Sequence, residues 1–212
     1  MHRFYRPLWR RNIAVDVVES TTPAATLAGY DLVVAPVLTM VRPGVAENLT
    51  EYVRGGGRLV TGYMSGIHDE HDLVFVGGQP GPLRELCGVW VEEIDAFAPG
   101  DGVDVLVGAD DGAAPAVAAV EARGEIVASI LEPEGARPVA TYGGRDFYTG
   151  TPAVTVNTVG EGRVWFVGTA LDEAGMRAVM DAAVADAGVE AIDTPDGIEV
   201  MRRVADDGTV YT

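Results

Sequence analysis

The residues best equipped for chemistry lie in one stretch, SGIHDEHDLVFVGGQPGPL, residues 65–83. It holds two of the chain's three histidines, His68 and His71, among Asp69, Glu70 and Asp72. A zinc site takes three or four converging protein ligands. Beyond this stretch only His2 and Cys87 add a nitrogen or sulfur ligand. Gly66 and the flanking aspartates favour a turn over a helix that would carry both histidines on one face. The stretch therefore reads as a solvated loop, and no metal is expected. A Ser-His-Asp triad needs its serine at the centre of a sharp strand-to-helix turn. GYMSG, residues 62–66, is in the right place but centres on Met64, with Ser65 one position late. Cys87 sits in a helix-like stretch ending at Gly88 and reads as a small buried apolar residue rather than an exposed nucleophile. No catalytic residue is expected.

Composition narrows the classes further. The 15 basic residues against 32 acidic ones give a net charge of −17, which repels a phosphate backbone, so no nucleic-acid partner is expected. Every basic residue is arginine. Without lysine there is no Schiff base, no pyridoxal-phosphate anchor and no P-loop lysine. The glycines at 55–57 follow a helix pattern and precede a strand pattern, the reverse of a dinucleotide fingerprint. No cofactor is expected. No apolar run approaches the ~20 residues a membrane helix requires, and the arginine-rich start lacks the apolar core of a secretory signal. A single cysteine fits a reducing compartment, so a cytoplasmic location with no membrane partner is expected.

The elements that must position the loop follow from periodicity. Residues 2–11 place Phe4, Tyr5, Leu8 and Trp9 on one helical face. IAVDVV (13–18) is a β-branched run and predicts a strand. GYDLVVAPVL (29–38) holds a nearly continuous apolar strand, which suits a parallel strand covered on both faces. Pro43 suits a first helical turn, Val45, Leu49, Tyr52 and Val53 repeat at helical spacing, and the three glycines stop that helix. RLVTGY (58–63) is the third strand. Strands and helices thus alternate up to the histidine loop, which points to an open sheet with helices on both faces. Beyond it, residues 82–88 predict a short helix and 89–97 a strand, while 99–125 show weak periodicity. Four later segments, EIVASILEP, RPVATY, PAVTVNTV and GRVWFVG, predict added β-hairpins. Residues 172–188 predict the clearest helix, with Asp172 as N-cap, Met176, Val179, Met180, Ala183 and Val184 on its apolar face, and Gly188 at its end. The last stretch predicts a hairpin around Asp207-Gly208. The expected fold is α/β: a flavodoxin-like or class I glutamine amidotransferase-like three-layer sandwich, with a mostly parallel sheet and added hairpins.

The order of these segments, and above all SGIHDEHDLVFVGGQPGPLRELCGVWVEEIDAF, resembles the middle domain of glycoside hydrolase family 42 β-galactosidases. The match runs through Asp69, Glu70, Asp72, Leu73, Gly77-Gly78, Pro80-Gly81-Pro82-Leu83, Glu85, Leu86, Gly88, Glu92-Glu93 and Asp95. NTVGEGRVWFVGT and the terminal DGIEVMRRVADDGTVYT are similar to later family segments. His68 and His71 stand where the family carries other residues. The resemblance implies a non-catalytic trimerisation domain over residues 1–190 and the truncated start of a C-terminal β-domain over 191–212. It also implies that terminal β-D-galactosides are hydrolysed by a retaining TIM barrel with two glutamates, absent from these 212 residues because such a barrel alone takes ~250. Glu92-Glu93 and Asp110-Asp111 are not that pair, since neighbours on a strand face opposite sides. The implied partners are further copies of the chain, as a homotrimer, and the barrels of its own and neighbouring subunits. Within the loop, Asp69, Glu70, Asp72, Leu73, Phe75, Pro80 and Leu83 are the candidates for a subunit contact; the competing expectation packs Leu73 and Phe75 inward. Two other functions stand beside this one. A stand-alone amidotransferase-like protein would bind or hydrolyse a small molecule at the carboxyl edge of the sheet, and a structural scaffold would serve some other multidomain hydrolase.

Overall fold

The computed structural model describes residues 2–108, 116–195, 197–205 and 207–212. Asp110 and Asp111 lie outside them. Helix α1 (His2–Arg10) leads through α2 (Ala24–Leu27) to strand β1 (Leu32–Val34), then α3 (Val45–Arg54) and β2 (Arg58–Gly62). A 3-10 turn (Gly81–Leu83) and α4 (Arg84–Cys87) follow the histidine loop. The chain then forms β3 (Val89–Ala96), β4 (Val103–Val107), β5 (Val120–Pro133), β6 (Arg137–Tyr142), β7 (Pro152–Val159), β8 (Gly162–Val167), β9 (Thr169–Leu171) and α5 (Glu173–Asp186). A separate hairpin, β10 (Arg203–Val204) with β11 (Val210–Tyr211), turns through Gly208, whose N–H donates to Ala205 O.

One nine-stranded sheet runs β1-β2-β8-β7-β6-β4-β5-β3, with β9 also paired to β5. Helices cover both of its faces. Phe4 and Leu8 of α1 and Met176, Val179, Met180 and Ala183 of α5 share one buried cluster with Val60, Trp165 and Val167. Leu27 of α2, Leu49 and Val53 of α3 and Leu86 of α4 share the other with Leu59, Val164 and Phe166. Neighbouring residues of β2 and β8 thus point to opposite clusters, as the pleat requires, and Leu59-Val60 and Val164–Val167 are unbroken apolar runs because both faces there are covered.

Several expectations meet their element. Asp172 Oδ1 accepts the Gly175 N–H at 2.9 Å and caps α5, while Gly188 at φ 69° ends it. Gly55–57 stop α3: the N–H groups of Gly56 and Gly57 return to the carbonyls of Val53 and Tyr52. A Cβ on Gly57 would lie 2.3 Å from the Tyr52 ring, so the stop also makes room for that side chain.

Others are corrected. The sheet is mixed, not mostly parallel: among the described strands β1 with β2 and β2 with β8 run parallel, and the other pairings of the sheet are antiparallel. Hairpins need only short turns, so the β-rich second half adds an antiparallel sheet larger than the parallel part it extends. Residues 13–18 form no strand. Pro43 precedes α3 rather than entering it, because Gly44 at φ 86° stands between. Tyr5 and Trp9 are exposed, and α1 buries Phe4, Pro7 and Leu8 instead. The weakly periodic stretch contains β4, where Val103, Val105 and Val107 alternate inward. β9, unexpected from sequence, is three buried residues between β8 and α5.

Candidate subunit-contact loop

The loop between β2 and α4 begins at a strained turn. Met64 takes φ 60°, the left-handed conformation of a nucleophile elbow, but it carries a thioether and packs against the core. Ser65 is 1% exposed. Its Oγ accepts the Leu38 N–H at 3.0 Å and lies 3.1 Å from Thr61 Oγ1, so it ties the turn to the segment after β1. Next, the N–H groups of Gly66 and Ile67 donate to Leu38 and Thr39 carbonyls, and Val41 N–H donates to His68 O. The loop then doubles back: Phe75 N–H donates to Ile67 O, and Val91 N–H donates to Gln79 O. The carboxyl ends of β1 and β2 are thus occupied by the loop's own backbone. At Gly66 a Cβ would meet Pro80 O at 1.9 Å, and at Gly81 it would meet Phe75 Cδ2 at 2.6 Å. At the ends of β1 and β2 this loop stands where the alternative small-molecule site was expected.

Above this base stands a solvated crown. Asp69 Oδ1 accepts the N–H groups of His71 at 2.8 Å and Leu73 at 3.0 Å, and Asp69 N–H donates to Leu73 O. These backbone donors, that of Leu73 first, hold the Asp69 carboxyl below its ordinary value. Asp69 is therefore an Asx-turn acceptor. His68 Nδ1 lies 3.4 Å from Asp72 Oδ1, and His71 Nε2 lies 3.6 Å from Glu70 Oε1. The two histidines face different carboxylates. Among the described residues no group of three or more His, Cys, Asp or Glu converges as a metal site. Asp72 and Glu70 are exposed. Cys87 is fully buried in the α3–α4 cluster, and burial pushes its thiol far up, away from a nucleophilic thiolate.

The seven contact candidates separate into two groups. Leu83 is 1% exposed, Pro80 is buried, and Phe75 is half-buried against the α3–α4 cluster. These three belong to the chain's own core. Leu73 is 64% exposed, and so are two residues that sequence reasoning passed over, Val74 at 70% and Val76 at 105%. Their signal was present as an unbroken apolar run, LVFV, bounded by Asp72 and Gly77-Gly78. Arg84 braces the far side: it pairs with Glu134, donates to Gly77 O at 3.4 Å and sits 5.3 Å over the Trp90 ring.

A family model described as the beta-galactosidase trimerisation domain matches residues 1–190. The chain belongs to that family. This trimerisation domain is 48% identical over 210 residues to the beta-galactosidase BglY of Alicyclobacillus acidocaldarius, covering 98% of this chain and 29% of BglY. It is 38% identical to the beta-galactosidase LacA of Lactobacillus acidophilus, covering 97% of this chain and 29% of LacA. In structure it is similar to the beta-galactosidase from Bacillus circulans sp. alkalophilus, with a TM-score of 0.87 and 36% identity over 97% of this chain and 29% of that one. The trimerisation domain therefore spans about 29% of the length of these relatives. No helix among its described residues is long and apolar enough to cross a membrane.

Proposed function

We propose that residues 1–212 are the non-catalytic assembly part of a cytoplasmic glycoside hydrolase family 42 β-galactosidase, and that three copies associate as a homotrimer. Hydrolysis of terminal β-D-galactosides then belongs to a barrel outside these residues. The carrying observation is the family match over residues 1–190. The crown supports it: Leu73, Val74 and Val76 present apolar side chains to solvent on a loop whose base is fixed by burial. Exposed apolar residues on a rigid support suit a surface that is covered on association. Residues 73–76 are the proposed contact with another subunit or its barrel, flanked by Asp69, Glu70 and Asp72 as a polar rim.

We assign the sheet to the doubly wound, flavodoxin-like class on its parallel part, β1-β2-β8, with α1 and α5 on one face and α2, α3 and α4 on the other. The boundary near residue 190 is part of the same proposal. β10 and β11 form a sheet of their own, in keeping with the opening of a further β-domain. Ile192 and Val200 lie against the end of α1, where Ile192 N–H donates to Arg11 O and Val200 N–H donates to Asn12 Oδ1.

The test is the solution mass of the full-length polypeptide by light scattering, read at several concentrations, with and without residues 1–190. A threefold mass that falls to the single-chain mass on their removal is expected. A trimer that survives their removal would overturn the assignment.

A further inference from the structure

The outer face of α1 departs from an ordinary polar one. The helix buries Phe4, Pro7 and Leu8. His2, Tyr5, Arg6, Trp9 and Arg10 are exposed, at i, i+3, i+4, i+7 and i+8, so they form a single stripe along it. Tyr5 and Trp9 are 44% and 45% exposed, and two aromatic rings half in water add nothing that the isolated helix needs. Four of the chain's 15 arginines fall within residues 2–11, with no acid among them, which leaves 11 arginines against 32 acids elsewhere. Arg6 and Arg10 share one carboxylate: Arg6 Nη1 lies 3.3 Å from Glu173 Oε2, and Arg10 pairs with Glu173 Oε1. One negative charge between two positive ones leaves the stripe cationic on an acidic molecule. At its far end Trp9 Nε1 donates to Glu199 Oε1 at 3.3 Å, and the exposed Ile198 and Met201 stand on the same stretch. Tyr, Trp and Arg are the residue types enriched where interfaces concentrate their binding energy.

The crown of the 65–83 loop has the complementary make-up. Leu73, Val74 and Val76 are apolar and exposed, and Glu70 and Asp72 beside them face histidines rather than arginines. The two patches lie on different sides of the sheet. α1 rests on the cluster of Val60, Trp165 and Val167, whereas Phe75 and Leu83 anchor the loop in the α3–α4 cluster. Symmetry gives that separation a meaning. A patch that meets its own copy closes an assembly at two chains. A ring of three needs a head-to-tail contact, in which each chain offers one patch to the next chain and a different, matching patch to the previous one. Crown against crown would also set acid against acid, which disfavours that pairing.

We propose that the outer stripe of α1 is the second patch, and that Tyr5, Arg6, Trp9 and Arg10 receive the crown of a neighbouring copy of the chain. Leu73, Val74 and Val76 cover the two rings, while Glu70 and Asp72 supply the carboxylates that Arg6 and Arg10 lack. The inference rests on the threefold reading of the chain and adds the surface that reading leaves unnamed.

Light scattering of the full-length polypeptide tests it. In the variant Tyr5→Glu with Arg6→Glu, the concentration at which the trimer half dissociates should rise at least ~100-fold. The far-ultraviolet circular dichroism should be unchanged, since both side chains face solvent. The decisive sample is a mixture of this α1 variant with the crown variant, Leu73→Glu with Val76→Glu. Each variant alone lacks one patch. Together they hold one intact contact, the α1 stripe of the crown variant with the crown of the α1 variant, so assembly stops at two chains. A two-chain species with one copy of each should appear in the mixture at concentrations at least ~10-fold below those at which either variant alone associates. A trimer unmoved by Tyr5→Glu with Arg6→Glu would overturn the inference and leave the threefold reading intact. So would a mixture that behaves as the sum of its parts, which would give α1 another cover, such as the barrel of its own chain. An unaltered polypeptide without a threefold mass would overturn the threefold reading and the inference with it.

Discussion

The base and the crown of the 65–83 loop are built from opposite materials. The base holds no ionised side chain: Ser65, Gly66, Pro80 and Leu83 pack against β1, β2 and the α3–α4 cluster. The crown holds both histidines and all three acids of the loop. Chemistry-bearing residue types therefore gather where the loop meets water, and their mutual contacts are an Asx-turn and two loose His–carboxylate pairs. Each pair has one member well into solvent, Asp72 at 83% and His71 at 75% side-chain exposure, and surface pairs of this kind contribute ~0–1 kcal/mol. The fold depends on residues with nothing to ionise. The informative members of the crown are its apolar ones, because solvent exposure of three consecutive-to-alternate aliphatic side chains has no benefit to the isolated fold.

The sharpest division of the two regions comes from Gly66→Ala. The new Cβ would strike Pro80 O, a backbone atom that cannot swing aside, at a residue with φ 66°. A loss of more than ~4 kcal/mol is expected by chemical denaturation. Leu83→Ala empties a buried position of the base and should cost ~2–5 kcal/mol in the same measurement. In the crown, Asp69→Ala removes the acceptor of two backbone N–H groups and should lower the denaturation midpoint at pH 7 by less than either change in the base. Its pH dependence has a definite sign. The folded carboxyl titrates below the ordinary 3.8, so its contribution is complete above that value and is lost as pH falls through the lower folded value. Wild type and variant should therefore converge in acid below pH 3.8. His71→Ala should be the mildest, within ~0.5 kcal/mol of wild type. A large effect of His71→Ala on stability would erase the distinction between base and crown.

Much of the architecture could be read from sequence where local signals agreed with the final packing. The α3 stop at Gly55–57 and the Asp172 cap of α5 are fixed by residues within one helical turn, so they survive whatever the rest of the chain does. Residues 13–18 had as strong a strand signal as any, but a strand is made by its neighbour, and sequence periodicity carries no record of which neighbour is present. The same reason hides the mixed character of the sheet: apolar runs look alike whether their partners run parallel or antiparallel. In the loop, residue types marked its position and burial decided its parts. Leu73 and Phe75, two apart in one apolar run, were equivalent on paper; in the fold Phe75 packs against the α3–α4 cluster with Gly81 close to its ring, while Leu73 stays in solvent. Asp186 was illegible for another reason. It is one acid among 32 in sequence, yet its side chain is 2% exposed, within 3.3 Å of Arg58 Nε and paired with Arg163, where it clamps the end of α5 to β2 and β8. Nothing local distinguishes it from its exposed relatives, because its partners arrive from strands more than twenty residues away in sequence.

The most direct test of the crown as the contact surface is the solution mass of the full-length polypeptide carrying Leu73→Glu with Val76→Glu, measured alongside its melting temperature. Dissociation toward single chains is expected, because two charges enter an apolar contact, with a melting temperature for residues 1–212 alone that stays near that of the unaltered domain, because both positions face solvent there. An unchanged trimer would contradict it and return the crown to the status of a solvated loop.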